Sequence, residues 1–391
     1  MGRKKRYEQE LIGLKLIHLS DLHLGKRVNE FSMLEDQKHI LWEILRIVGE
    51  EKPDGVIIAG DVYDKTIPPA EAVALLDEFL VRLAGMKQEV YMISGNHDSA
   101  ERIAFGGRLM ELSGIHLSPV FTGDVAPCVL KDGEGEVRIW MLPFVKPVDV
   151  RHAYPEEEIT DYTGAVRAVI RHMGIDPSVR NVLVAHQFVT GASRSESEDV
   201  SVGGMENVDA SVFDGFDYVA LGHIHGPQHI GRKTVRYCGT PLKYSFSEKD
   251  HVKSVTVVTL GAKGDTGVRT VPLVPRHDMR EIRGTYDELT LRKNYEGTAT
   301  DDYLRVVLTD EEDVPDALAR LRTIYPNIMK LDYDNRRTRS SSEVGAIEEI
   351  ERKSEIELFD EFYAAQNGQP LSEEQRTFTE GLLESLKEGM A

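Results

Sequence analysis

Short apolar blocks punctuate this chain at regular intervals. Leu14–Leu19, Gly55–Ala59 and residues 90–93, 181–185 and 217–221 are apolar-rich runs, and each predicts a buried strand. Between them the period changes. Residues 33–51 carry Ile40, Leu41, Ile44, Leu45 and Val48 at spacings of three and four, which predicts a helix that Pro53 and Asp54 end. Residues 69–83, 99–113 and 159–173 read as further helices, the first with a proline at its start. Asp132, Gly133 and Gly135 mark a turn between strands at 125–131 and 136–142. Strand and helix in alternation predict an α/β core with ligand groups at the carboxyl ends of the strands.

The pattern shifts twice more. From 228 to about 275, short β-rich runs alternate with turns and close a first domain. From 276 to 334, a strand at Tyr303–Leu308, a helix at 314–324 and a strand at 327–331 predict a small α+β module that carries no chemical cluster. A polar linker, 335–342, leads to two amphipathic segments at 346–363 and 372–386, where Ser372 and Gln375 fit a capping box. The expected organisation is an extension at 1–13, a main domain at 14–275, a small domain at 276–334, and a linker with an acidic helical tail at 335–391.

Composition narrows the picture. The 391 residues are 41% hydrophobic, enough to bury a sizeable core and too many for a disordered chain. Cys128 and Cys238 are the whole cysteine content, so no disulfide framework is expected and a reducing, cytoplasmic setting is. No apolar run approaches the roughly 18 residues of a membrane helix. The basic start, Arg3 to Arg6, is followed by Tyr7-Glu8-Gln9-Glu10 where a signal peptide needs an apolar stretch. A net charge of −19 is the wrong sign for a freestanding nucleic-acid binder, but residues 343–391 hold 13 acidic and 4 basic side chains and so carry −9 of it.

The chemistry sits at the strand ends. Asp21 and His23 follow the first strand, Asp61 and Asp64 the second, and Asn96, His97 and Asp98 the third. His186 follows the fourth, and His223 and His225 the fifth. Spacing of i,i+2 in Asp21-Leu22-His23 and in His223-Ile224-His225 puts both side chains on one face of an extended segment. The donors are oxygen and nitrogen with no thiolate, a set that suits Mn²⁺, Fe²⁺, Zn²⁺ or Co²⁺ and argues against a structural zinc site. They are too many for one tetrahedral ion and enough for two, with Asp61, straight after Gly60, well placed to bridge. Two divalent ions roughly 3.5–4 Å apart form a clamp used for phosphoester hydrolysis. Taken singly, each cluster is more often a surface turn or a structural histidine; all five at strand ends of one chain argue for a metal site.

In this order, Asp21-x-His23, Gly60-Asp61-x-x-Asp64, Gly95-Asn96-His97-Asp98, His186 and Gly222-His223-x-His225 resemble the signature of the calcineurin-like metallophosphoesterases. The flanking stretches 16–26, 220–225 and 239–246 are similar to the SbcD family of bacterial nucleases within that superfamily. The resemblance implies a layered α-β-β-α core with a small capping, DNA-binding α+β domain and a C-terminal helical tail. It implies that Asp21, His23, Asp61 and His225 hold one Mn²⁺, that Asp61, Asn96, His186 and His223 hold the other, and that Asp64 lies in a second layer. His97 would act at the scissile phosphate, oriented by Asp98. The implied activity is 3′–5′ exonuclease action on DNA ends and endonuclease action on single strands and hairpins. The implied partner is an SbcC-type coiled-coil ATPase bound through the tail, in a heterotetramer containing a homodimer of the nuclease. A phosphatase or cyclic-nucleotide phosphodiesterase on the same metal core is the alternative. Protein phosphatases of this fold typically continue Gly-Asp-x-x-Asp with Arg-Gly, whereas Lys65 and Thr66 stand here.

Overall fold

The computed structural model describes residues 13–198 and 206–336, and beyond them only 338, 356, 359, 360, 363, 371, 372, 375, 376, 378 and 379. Two six-stranded sheets dominate it. In the first, Leu14–Leu19 lies beside Gly55–Ala59, and Gly55–Ala59 beside Glu89–Ile93, all parallel. Ile115–Leu117 extends that parallel set, and Ser254–Leu260 and Thr266–Pro272 add antiparallel strands on the other edge. In the second, Arg180–His186 is parallel to both Gly135–Leu142 and Tyr218–Gly222. Parallel strands put their carboxyl ends on one rim, and the polar clusters follow directly from such ends.

The sheets pack face to face. Leu16, Ile57, Ala59, Tyr91 and Ile93 from the first meet Ile139, Val182, Val184 and Ala220 from the second in one buried cluster. Alternate positions such as Val56, Ile58, Val90 and Met92 are buried on the opposite face. The helices Leu34–Glu51 and Ala70–Gly85 supply apolar stripes of their own, including Ile40, Ile44, Leu76 and Leu83. The helix Tyr162–His172 covers the second sheet through Ala165, Val166 and Val169. The result is the α-β-β-α layering expected from the sequence. His18, inside the first strand, reaches across the layer interface, where its Nδ1 lies 2.8 Å from the Tyr218 hydroxyl.

One expectation needs correction. The helix expected at 99–113 is broken into Ala100–Ile103, Gly107–Met110 and a 3-10 turn at Glu111–Ser113, because Gly106 takes a left-handed φ of 75°. The chain also divides into two compact units. One compact unit holds the described residues up to Glu281 together with Asp301–Arg305. Within it, Asp36 accepts from the Tyr303 hydroxyl at 2.7 Å and lies 2.9 Å from His277 Nδ1, so the polar face of a first-domain helix claims both residues.

The second unit holds Ile282–Thr300 and the described residues from Val306 on. Its helix Tyr286–Thr290 opens on a capping box, in which Glu288 N–H donates to Thr285 Oγ1 at 3.2 Å and Thr285 N–H to Glu288 Oε2 at 2.9 Å. The strands Met279–Gly284, Tyr303–Leu308 and Ile328–Tyr333 form a three-stranded sheet in that order. The expected capping box in the tail is present: Gln375 N–H donates to Ser372 Oγ at 3.3 Å and Ser372 N–H to Gln375 Oε1 at 3.0 Å. Most of the two tail segments, and the extension up to residue 12, lie outside the described residues.

Candidate metal centre

The rim is assembled from two loops that zip together. Asp21 N–H donates to Gly60 O at 3.0 Å, His23 N–H to Asp61 O at 3.0 Å, and Leu24 N–H to Val62 O at 2.9 Å. The backbone is forced into unusual shape where the polar side chains stand. Asp21, His23, Asp61 and His223 all have positive φ, at 53°, 44°, 46° and 98°. Such conformations cost energy in residues with a Cβ and tend to persist at functional sites. Glycines permit the close approach of the layers. A Cβ on Gly222 would sit 1.9 Å from Ala59 O, and one on Gly95 would sit 2.1 Å from Asp61 Oδ1. Gly95 is thus required for proximity, since it is absent from the left-handed positions.

Three interlocking groups place one ligand atom each within 4.8 Å of the others: Asp21, His23 and His225; Asp21, Asp61 and His186; and His23, Asp61 and His97. Asn96 joins the second of these. Its Oδ1 lies 3.0 Å from His186 Nε2 and 2.9 Å from His223 Nδ1, and His186 Nε2 is 3.3 Å from Asp61 Oδ2. All seven metal-ligand candidates therefore converge on one rim, with Asp61 between the two sets. His23, Asp61 and His186 are essentially inaccessible, whereas the His97 side chain is 23% exposed, with its Nε2 3.9 Å from Asp61 Oδ2.

Backbone donors aim the carboxylates. His97 N–H donates to Asp61 Oδ1 and His223 N–H to Asp21 Oδ1, each at 2.9 Å, leaving the second oxygens for other partners. Ala59 O accepts from His186 Nδ1–H at 2.8 Å, which leaves Nε2 turned towards Asp61 and Asn96. Gln37, on the first helix, donates to His23 O at 2.7 Å and accepts from Gly25 N–H at 3.0 Å, fixing the first loop from below. Asp64 Oδ1 takes a 2.7 Å hydrogen bond from Lys26 Nζ and lies 3.7 Å from His23 Nδ1.

The expected role of Asp98 is not what its contacts show. Both its oxygens are taken by backbone N–H groups, from Val62 at 3.0 Å, Tyr63 at 2.9 Å and Gly95 at 2.9 Å. Asp98 ties the second loop to the third. The carbonyl that faces the His97 ring is that of Asp64, 3.1 Å from Nδ1. Burial and the nearby Asp61 raise the Asp98 carboxyl to about 6 against the pull of those N–H groups.

The donor set fits divalent cations. Burial alone would raise the Asp61 pKa, but His186, His23 and His97 around it hold it well below the usual carboxylate range. Burial keeps His23 well below the ordinary histidine value and brings His223 to about 3, so both rings stay neutral and carry a lone pair. His23 Nε2 and His225 Nε2 face each other at 3.1 Å, and His23 Nδ1 has no hydrogen-bond partner. Two buried ring nitrogens this close either share a proton or face a common cation. A cleft of about 770 Å³ opens beside Asn96 and Asp98, lined also by Thr66, Phe121, Phe144 and Lys146.

Residues 14–227 match the calcineurin-like phosphoesterase family, and residues 275–367 match a family described as the type 5 capsule protein repressor C-terminal domain, SbcD_C. The chain is 32% identical over 369 residues to the D subunit of the nuclease SbcCD from Staphylococcus epidermidis, covering 93% of this chain and 96% of the relative. The chain belongs to the SbcD branch of the calcineurin-like phosphoesterases. A dimetal phosphatase from Danio rerio is 12% identical, with a TM-score of 0.42, covering 67% of this chain and 98% of that one. A protein of Thermus thermophilus is 11% identical, with a TM-score of 0.39, covering 66% of this chain and 99% of that one. As a member of the SbcD branch the chain is a metal-dependent phosphodiesterase, and among the described residues no helix is long and apolar enough to cross a membrane.

The sequence did not single out several side chains that complete the centre. Tyr244 donates its hydroxyl to Leu22 O at 2.7 Å and sets its ring edge-on to His23 at 5.8 Å. Gln37 was hidden inside a helical apolar pattern, where a buried polar residue on the apolar face was the available signal. Arg194 stacks on Phe188, with its guanidinium carbon 3.7 Å from the ring centroid, in the polar loop after His186.

Proposed function

We propose that this chain is the manganese-dependent nuclease subunit of a cytoplasmic DNA-end-processing complex. It would remove nucleotides 3′–5′ from DNA ends and cut single strands and hairpins in repair, recombination and replication. The observation that carries the reading is the convergence of Asp21, His23, Asp61, Asn96, His186, His223 and His225 on one rim, with the partly exposed His97 beside them. When bound there, two divalent ions supply positive charge at the phosphate and a more acidic water. The chain's own part is to position and to move a proton. Asp61 is shared by both ligand sets. The Asp64 carbonyl accepts a hydrogen bond from His97 Nδ1–H and leaves Nε2 on the side of Asp61, where it would serve as proton donor to the leaving sugar oxygen. Asp98 serves that step indirectly, by locking the loop that carries His97 to the loop that carries Asp61.

The nuclease name of the Staphylococcus relative supports DNA as substrate and an SbcC-type coiled-coil ATPase as partner. The apolar positions of the tail, among them Phe359 and Phe378, both exposed, fit docking of the tail on that partner. For the homodimer, Val73, Val81 and Phe105 line one apolar groove of the first unit and are exposed, which suits a second copy of the chain. The test is incubation with hairpin-ended duplex DNA, with and without Mn²⁺, alone and with the ATPase. Cleavage that requires Mn²⁺ is the expected result. Hydrolysis of a small phosphomonoester or cyclic nucleotide with DNA left intact would replace this reading with the phosphatase or cyclic-nucleotide alternative.

A further inference from the structure

His225 is held at its ring Nδ1 and at its backbone by groups that lie outside the ligand set. Its ring Nδ1 is 2.6 Å from Ser197 Oγ. The Ser197 hydroxyl in turn donates to Glu248 Oε1. Lys253 Nζ donates to Glu248 Oε2 at 2.5 Å, to Thr240 Oγ1 at 2.6 Å and to His225 O at 3.0 Å. Glu198 Oε1 accepts the His225 backbone N–H at 2.7 Å. Glu248 and Lys253 are almost wholly buried, at 0% and 6% exposure, so this is an interior ion pair built against a single histidine. Neither Ser197 nor Glu248 is among the ligand candidates, and their segments, the polar loop after His186 and the turn after Ser245, carry none of them.

Ser195 Oγ, 2.9 Å from Ser197 Oγ, donates to Glu198 Oε1 at 3.2 Å, and the close Ser197–Glu248 contact sets the order of the remaining donors and acceptors. A Lys ammonium can only donate, and an ionised carboxylate can only accept. Glu248, met by Lys253 on one oxygen, therefore accepts the Ser197 proton on the other. Ser197, having given its single proton to Glu248, can only accept from His225. That places the imidazole proton on Nδ1 and leaves the Nε2 lone pair bare, pointing at His23 Nε2 and into the group formed with Asp21. We infer that Ser197, Glu248 and Lys253 form a directional relay that fixes His225 as an Nε2 donor and so sets the affinity of the Asp21–His23–His225 side for its divalent ion. The inference rests on the metal-centre reading above and deepens it. Ser197 and Glu248 are positioning residues: they touch neither the phosphate nor the ion, and act through the ring.

The design has a weak point that a near-isosteric change exposes. In Glu248→Gln the amide keeps its shape, with Oε1 facing Lys253 and the NH₂ facing Ser197. The amide then donates to Ser197, and Ser197 is free to donate to Nδ1. The relay runs backwards, and the proton moves to Nε2, where a cation must bind. Ser197→Ala simply removes the acceptor, and Ser197→Thr keeps it.

The experiment is a Mn²⁺ titration of the DNA-free full-length protein, with free Mn²⁺ followed by electron paramagnetic resonance. Wild type should take two ions. Glu248→Gln and Ser197→Ala should keep one ion tightly and bind the other about 10–100-fold more weakly, the range typical for partners of ligating histidines. Ser197→Thr should restore the wild-type isotherm. Thermal melting in chelator should show Ser197→Ala as stable as wild type, which separates this effect from a loss of fold. Wild-type binding of both ions in Ser197→Ala and Glu248→Gln, or equal weakening of both ions, would overturn the relay. Failure of the wild type to take up ions would instead overturn the metal-centre reading on which the relay stands.

Discussion

The two sides of the metal centre are built by different means. On one side His186 sits at the end of a central strand, and its Nδ1–H goes straight to Ala59 O, a backbone atom of the facing sheet. Its surroundings are the sheet layers themselves, with Gly222 in register beside it and no room for a Cβ there. On the other side His225 stands beyond the strand end and takes its orientation from side chains of two separate loop segments. Orientation through backbone is inseparable from the fold. Orientation through a chain of side chains can be altered without touching the fold. The difference predicts that damage on the strand side appears in stability and metal binding together, and damage on the loop side in metal binding alone.

The largest effect should come from the residue that belongs to both sides. Asp61→Ala removes a carboxylate shared by the His23 and His186 groups and the acceptor of the His97 N–H. Neither ligand set is complete without it, so Mn²⁺ uptake should fall at both positions and DNA cleavage should drop to background. Equilibrium dialysis with metal analysis reads the first, and hairpin cleavage the second. Retention of one tightly held ion would show that the sides are independent and that Asp61 does not bridge them. In the wild type, chelator should abolish cleavage and added Mn²⁺ should restore it.

Next in size is His97→Gln. His97 is the most exposed of the histidines gathered here: its ring is held by the Asp64 carbonyl at Nδ1 and lies 3.9 Å from Asp61 at Nε2. Loss of a positioned acid–base group costs roughly 10²–10⁴ in rate. Turnover should fall by about that factor while both ions and DNA binding remain, as metal counting and a gel-shift assay would record. His97 also lies within reach of His23 and Asp61 as a third group, so loss of an ion in this variant would make it a ligand. That outcome would remove the proton-donor role assigned to it.

How the sequence spoke about each side follows the same division. The strand side was legible: apolar runs marked where Leu14–Leu19, Gly55–Ala59 and Tyr218–Gly222 would lie, and the polar residues after each run had to share a rim once the strands were parallel. The role of Asp98 was not legible, because adjacency to His97 along the chain says nothing about which N–H groups reach its oxygens. The relay behind His225 was also silent. Ser197 lies in a polar loop with no period, and Glu248 and Lys253 look like surface charges until the fold buries them. The break at Gly106 escaped notice because a lone glycine is tolerated in a helix, and only its left-handed φ in the structure shows that it ends one here.

Gly222→Ala sharpens the comparison through stability. The added methyl would meet Ala59 O at 1.9 Å and His186 Nδ1 at 2.6 Å, neither of them the far end of a flexible side chain. Overpacking of this kind typically costs about 1–3 kcal/mol, and the layers must part at the very point where His186 is fixed. The variant should melt lower in chelator and also bind Mn²⁺ more weakly, in contrast to Ser197→Ala. A normal melting temperature with weakened metal binding would place this side, too, outside the fold's control.

The smallest expected effect tests whether any cross-layer tie reaches the centre. His18 and Tyr218 join the two sheets three residues before Asp21, with the His18 ring held neutral because burial brings its pKa down to about 3. Tyr218→Phe keeps the packing and removes only the hydroxyl. The imidazole Nδ1 then loses its partner while Nε2 already lacks one, and a buried polar atom left unsatisfied costs about 1–3 kcal/mol. Only part of that should be felt, since the hydroxyl's own desolvation cost disappears with it, so a drop of about 2–4 °C in melting temperature is expected. Metal affinity and cleavage should stay at wild-type values, because Asp21 is oriented by Ser20, the Gly60 carbonyl and the His223 N–H, none of which involves this bond. Weakened Mn²⁺ binding in Tyr218→Phe would show that the strand side is tuned from within the core, one layer deeper than the Ala59 carbonyl.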